Sequence, residues 1–168
     1  MLKPRQKTPD LSINLTNGTE WTLSKQDPEN FSLIIVYRGL HCPVCKTYLE
    51  ELQTKLPKFK KLGVNVVAVS SETKALAEKT TEEWDIGDVP LGYDFPIEDA
   101  REWGLYISKG IKDEPELFIE PGLFVIRPNQ ELYCASIQTM PFARPELDDV
   151  INAIKFVLHK DYPARGEA

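Results

Sequence analysis

Phe31-Ser-Leu-Ile-Ile-Val-Tyr37 runs straight into Arg38-Gly-Leu-His-Cys42-Pro-Val-Cys45, and the junction between these segments decides the architecture. The first segment is continuously apolar and β-branched, the pattern of a strand buried on both faces. Beyond Cys45, apolar residues fall at Leu49, Leu52, Leu56, Phe59 and Leu62, the spacing of one helix face, and Gly63 marks its end. Pro57 inside that run predicts a kink, because it removes a backbone donor and crowds the preceding turn. Two cysteines therefore stand where a buried strand turns into a helix. The first helical turn offers unpaired N–H groups and positive partial charge, and both stabilise a thiolate. Pro43 falls where a missing N–H costs nothing.

Outward from this junction, Val64-Asn-Val-Val-Ala-Val69 repeats the buried-strand pattern. Ser71 to Trp84 reads as a helix with Ala75, Leu76 and Ala77 on its inner side, and a short helix follows around Glu98 to Trp103. Leu123–Ile126 and Glu131–Ile137 flank Arg127-Pro-Asn-Gln130, a hairpin turn. Pro145 to His159 reads as a closing helix. Pro145 falls in its first turn, Glu146, Asp148 and Asp149 suit its positive end, and Lys155, His159 and Lys160 its negative end. Toward the N-terminus, Asn17-Gly18 between Leu11–Leu15 and Trp21–Leu23 predicts a hairpin with a type I′ turn. The order strand-strand, strand-helix-strand-helix, strand pair and helix predicts an α/β fold: a mixed sheet with helices on both faces. No repeat or composition shift divides the chain, so residues 1–168 read as one domain, with the tail from Tyr162 expected to be extended or mobile.

A chain of 168 residues with 42% hydrophobic content can build a real core. The net charge of −6 and the lack of a basic stripe argue against nucleic acid and against an anionic membrane as partners. The polar, proline-bearing N-terminus has no apolar leader and no segment is long enough to span a bilayer, so the expected compartment is the cytoplasm. Three cysteines make no disulfide scaffold, and a close pair in a reducing compartment reads as redox or metal chemistry. Zinc would need four ligands, and only Cys134, His41 and His159 remain to complete a set around the pair. The expectation is therefore redox work by Cys42 and Cys45, with no metal or cofactor. Lowering a thiol pKa from about 8.5 to about 7 raises the thiolate fraction at neutral pH roughly sixteenfold. Lost nucleophilicity returns a factor of about 4 to 5. The larger gain is geometric: the second thiol is held where it can resolve an oxidised first one.

Val36-Tyr-Arg-Gly-Leu-His-Cys-Pro-Val-Cys-Lys-Thr-Tyr-Leu49 resembles the active-site segment of peroxiredoxin-like proteins of the AhpC/TSA group, within the thioredoxin superfamily. Pro9-Asp-Leu-Ser-Ile-Asn-Leu15 is similar to the N-terminal hairpin of that family, and Gly63–Ser70 to its second core strand, so the likeness covers about residues 9–158. The resemblance implies a thioredoxin fold with an N-terminal β-hairpin extension. It implies a hydroperoxide substrate, a thiol reductant such as a thioredoxin or glutathione system, and a possible homodimer. It also implies a cis peptide at Pro121, facing the cysteines, and gives Arg144 the place of the arginine beside the peroxidatic thiolate. A guanidinium there lowers a thiol pKa and hydrogen-bonds a peroxide oxygen. The alternative for Arg144 is a surface residue at a helix start. The family's proline and threonine, seven and three residues before the attacking cysteine, are replaced here by Arg38 and Cys42 if Cys45 is that cysteine. Thioredoxin logic instead makes Cys42 the attacking thiol and Cys45 the resolving one, and that is the assignment expected here.

His41 stands as a proton shuttle, an imidazolium partner for a thiolate, or a partly exposed loop residue. Cys134, in a strand, reads as a small buried hydrophobe, and Trp21, Trp84 and Trp103 as packing. Three functions follow in order: hydroperoxide reduction through a Cys42/Cys45 cycle, dithiol–disulfide exchange on protein or small disulfides, and a metal-binding or redox-sensing module without turnover.

Overall fold

The computed structural model describes residues 2–168. Strands β1 (Ser12–Leu15), β2 (Glu20–Thr22), β3 (Phe31–Val36), β4 (Val64–Val69), β5 (Leu91–Tyr93), β8 (Gly122–Ile126) and β9 (Leu132–Ile137) form one sheet in the order β2-β1-β5-β4-β3-β8-β9. β3, β4 and β5 run parallel, and β8 pairs antiparallel with both β3 and β9. β6 (Ile107–Lys109) and β7 (Leu117–Ile119) make a separate hairpin. Helices α1 (Pro43–Lys61), α2 (Lys74–Glu83), α3 (Ile97–Glu102) and α4 (Leu147–Lys160) cover the sheet.

Two cores explain why β3 is apolar throughout. Phe31, Leu33 and Ile35 pack on one face with Cys45, Leu49, Leu52 and Phe59 of α1, Ala77 of α2 and Ile151 of α4. Ile34 and Val36 pack on the other, with Ile13, Trp21, Ala100 and Trp103. Every residue of β3 is buried. The mixed sheet with helices on both faces is the thioredoxin fold, with the β1–β2 hairpin added at one edge.

Local details depart from the expectations. The β1–β2 hairpin does not use a type I′ turn. Leu15 N–H donates to the Thr19 carbonyl, leaving a three-residue loop, Thr16 to Gly18, in which Gly18 has φ +85° and Asn17 is not left-handed. Asn17 Oδ1 instead accepts from Thr19 N–H at 3.0 Å and Thr19 Oγ at 2.6 Å, a local bond that competes with the left-handed conformation. α2 begins at Lys74, after Thr73, whose hydroxyl caps it by accepting from Leu76 N–H. Of its expected inner residues only Ala77 is buried, joined by Thr80, while Ala75 and Leu76 face outward. Pro145 precedes α4, which starts at Leu147 after an extended Glu146. α1 continues through Pro57 to Lys61.

The C-terminal tail, expected to be extended or mobile, carries no helix or strand but is anchored to the body of the fold. Ala164 is 4% exposed, its carbonyl accepts from Arg5 Nε at 2.9 Å, and Tyr162's carbonyl accepts from Tyr133 OH at 3.0 Å. Cys134 is exposed rather than buried. It sits in an open groove between β9 and α4 whose apolar walls (Phe31, Val150 and Ile154 among them) push its thiol up to about 11.

Candidate active site

Cys42 occupies the N-cap position of α1 and Cys45 lies in the first turn. Cys45 N–H donates to Cys42 Sγ at 3.2 Å, so the helix start binds a sulfur as a capping residue binds an oxygen. The two sulfurs are at disulfide distance and the Cα atoms are 5.2 Å apart, within the range a disulfide requires. Both cysteines are almost wholly buried. Pro43, between them, is exposed at the first helical position.

Arg144 reaches this pair from a distance of 99 residues along the chain: its Nη2 donates to Cys45 Sγ at 3.2 Å. Its Nη1 donates to the Pro141 carbonyl at 3.2 Å, and its guanidinium carbon lies 5.0 Å from the centre of the Tyr48 ring. Burial lowers the guanidinium pKa to about 10, which leaves it charged at neutral pH. Its Nε is buried with no partner in the protein. Arg144 is therefore not a surface residue at a helix start. Tyr48 fixes the other side by donating from its hydroxyl to the Pro145 carbonyl at 2.7 Å. Sequence reading missed Tyr48, although its place three residues after Cys45 on a helix was the available signal.

His41 packs edge-on against Phe118, ring centres 4.8 Å apart, with Nε2 buried and unpartnered. Burial holds its pKa below the usual 6.5; Glu114 pulls it up and Arg38 pushes it down. This lowering works against the imidazolium partner that the sequence left open. Pro121 lies at the right end of the sheet, because Gly122 pairs with Val36 at the strand end from which the cysteine loop departs. Its peptide bond is trans, however, as are all those among the described residues. This corrects the cis expectation; trans is the intrinsic preference by about 0.5–1 kcal/mol, and here the Pro121 carbonyl accepts from Gln138 N–H at 3.0 Å.

Two further groups surround the loop. Arg38 makes a two-pronged ion pair with Glu120, Nε to Oε2 at 2.8 Å and Nη2 to Oε1 at 2.9 Å, and Glu120 is 2% exposed. Arg38 Nη2 also meets Met140 Sδ at 3.7 Å, so the residue at the proline position is tied down, not free. Glu72 lies buried beneath the loop. Neither acidic residue was singled out from sequence, since each partner is distant in the chain. Among the described residues no group of three or more His, Cys, Asp or Glu side chains is arranged to hold a metal ion, and no helix is long and apolar enough to cross a membrane.

A paired cysteine site at a helix start, on this fold, defines a thiol-based oxidoreductase. The AhpC/TSA family model matches residues 4–134, and the chain belongs to that family. No curated protein matches the sequence. Among solved structures, the fold is similar to peroxidoxin BcpB from Mycobacterium tuberculosis (TM-score 0.76, 16% identity, covering 94% of this chain and 99% of that one). It is similar to Enterococcus faecalis AhpC (TM-score 0.76, 20% identity, 98% and 99% covered). It is also similar to a yeast mitochondrial 1-Cys peroxiredoxin whose thiol is resolved via glutathione/thioredoxin systems (TM-score 0.78, 17% identity, 96% and 78% covered). The protein is thus a peroxiredoxin-like thiol oxidoreductase, with Cys42 and Cys45 fitted to a dithiol–disulfide cycle.

Proposed function

We propose that the protein reduces hydroperoxides with Cys45 as the attacking thiol, Cys42 as its resolving partner and Arg144 as the stabilising charge. The observation that carries this reading is the 3.2 Å contact from Arg144 Nη2 to Cys45 Sγ. It reverses the roles expected from thioredoxin logic, and magnitudes decide between them. Each sulfur has one donor: a neutral amide for Cys42 and a desolvated guanidinium for Cys45. Either bond is charge-assisted once its sulfur is a thiolate, but only the guanidinium adds a full positive charge beside the sulfur, so the negative charge is better stabilised on Cys45.

In the first step the Cys45 thiolate forms a bond to one peroxide oxygen and the O–O bond breaks. The departing alkoxide takes a proton and leaves as an alcohol, or as water when the substrate is hydrogen peroxide. Cys45 is then a sulfenic acid. The Cys42 thiolate attacks that sulfur, the S–S bond forms, and the hydroxyl leaves as water after protonation. Two thiols of an external reductant, from a thioredoxin or glutathione system in the cytoplasm, return the pair to the dithiol and are themselves oxidised to a disulfide. Throughout, Arg144 can follow the charge from sulfur to the leaving oxygen without reorganising solvent.

Dithiol–disulfide exchange is the second reading, favoured by the Cys45 N–H bond to Cys42 Sγ at the helix cap. Rapid mixing of the reduced protein with hydrogen peroxide separates the two. The peroxidase reading expects oxidation far faster than a free thiol of the same pKa; a rate no faster than that thiol contradicts it.

A further inference from the structure

We propose that Glu72 is a positioning residue for the redox pair, holding the Tyr37–Leu40 turn so that Cys42 and Cys45 stay within reach of each other. This rests on the dithiol cycle described above. Glu72 follows β4 and is 4% exposed, yet among the described residues it has no cationic partner. Its carboxylate instead gathers donors from three elements. Oε1 accepts from Leu40 N–H in the cysteine loop. Oε2 accepts from Tyr37 OH at 3.2 Å, Thr80 Oγ of α2 at 3.3 Å and Ser70 Oγ at 3.5 Å. Gly39, between Tyr37 and Leu40, has φ +139°, and a Cβ there would come within 2.7 Å of Oε1. The loop backbone thus lies directly on the carboxylate, and only glycine permits the approach.

The connection to chemistry runs through one more bond: Cys42 N–H donates to the Gly39 carbonyl at 3.1 Å. Glu72 therefore fixes Leu40 and Gly39, and Gly39 fixes the N-cap cysteine. Burying a carboxylate without a cation is costly, and burial raises its pKa above the ordinary value against the pull of its four hydrogen bonds. A structural role alone would be met by an apolar side chain of similar volume. Convergent donors around an uncompensated charge mark a group selected for holding a backbone in one place.

The groups facing Glu72 define what titrates beside it. Tyr37, directly after β3, has its pKa raised well above the usual value by burial and then by Glu72, and stays neutral. His41 on the loop and Asp113 and Glu114 from the β6–β7 turn line the cleft over the carboxylate. His41, Asp113 and Glu114 can all titrate in this cleft, so the pH series is run in the native protein and in the His41→Gln, Asp113→Asn and Glu114→Gln backgrounds.

The test uses the full-length protein equilibrated with glutathione buffers, reading the Cys42–Cys45 disulfide fraction, with iodoacetamide alkylation rate as a second readout. Neither involves peroxide, so failure of the peroxidase reading would leave this result intact. Loosening the loop lowers the effective concentration of one thiol at the other, so Glu72→Ala should reduce the disulfide equilibrium constant by about tenfold. Glu72→Gln keeps the shape and one acceptor; it should give a smaller loss and lack the acid-side pH dependence expected with Glu72. Should Glu72→Ala not fold, the isosteric Glu72→Gln still decides the matter. A folded Glu72→Gln with an unchanged equilibrium constant, alkylation rate and pH profile would overturn the proposal.

Discussion

Arg144 Nη2 and Cys45 Sγ, 3.2 Å apart, are the contact on which the proposed chemistry turns. Losing a preorganised donor to developing charge costs about 10²–10³ in rate in other enzymes. Arg144→Gln is therefore expected to slow peroxide consumption by about 10²–10³, read by stopped-flow, with little change in the unfolding midpoint. The charge also sets a pH limit. Because burial brings the guanidinium down to about 10, the peroxide rate per thiolate should fall as pH rises through that value, whereas a thiol with no cationic partner would reach a plateau. The cysteine pair was legible in sequence because its signal is local: a buried strand, two thiols three residues apart, and a helix face. Arg144 was legible only through a family resemblance, since nothing near it in the chain announces its partner. Glu72 was not legible at all, and Tyr48 only by its place one helical turn after Cys45. Their partners Leu40 and Pro145 lie 32 and 97 residues away, and no periodicity encodes such bonds.

Among the secondary-structure elements, Arg38 and Glu120 tie the end of β3 to the link between β7 and β8, and Ser108 of β6 donates to the same carboxylate at 2.5 Å. The side chains of the pair are 16% and 3% exposed. Removing one partner of such a pair leaves a buried charge uncompensated, at a cost of about 3–5 kcal/mol. Arg38→Met should destabilise the protein by that amount in urea unfolding, and adding Glu120→Gln should recover a large part of it; equal losses in the single and double variants would show that the ion pair is not the source. The β6–β7 hairpin escaped sequence reading for a related reason. Its strands are three residues each, and the charged turn between them, Lys112 to Glu116, masks the alternation. The long buried strands and α1 were read correctly because burial on a face repeats through them. Residues at element ends were not: Pro145, Ala75 and Leu76 are placed by capping and by neighbouring elements rather than by period.

For the molecule as a whole, the two cores on either side of the sheet were implied by an unbroken apolar β3, whereas the order of strands was not, and the three-residue β5 between β1 and β4 escaped sequence reading. The closure of the chain on itself was not implied. Arg5 and Ala164 meet across a separation of 159 residues, and the tail reads as polar and proline-bearing until that contact is seen. Truncation after Asp161 removes the Arg5–Ala164 and Tyr133–Tyr162 hydrogen bonds. It is expected to cost about 2 kcal/mol of unfolding free energy while leaving the peroxide rate unchanged, measured by urea titration and stopped-flow on the same preparation.

The division of labour between the two sulfurs is the central claim, and single-cysteine variants test it most directly. Stopped-flow oxidation by hydrogen peroxide is predicted to stay rapid in Cys42→Ser, ending at a stable sulfenic acid, and to be lost in Cys45→Ser. Rapid oxidation that survives in Cys45→Ser and disappears in Cys42→Ser would contradict the account.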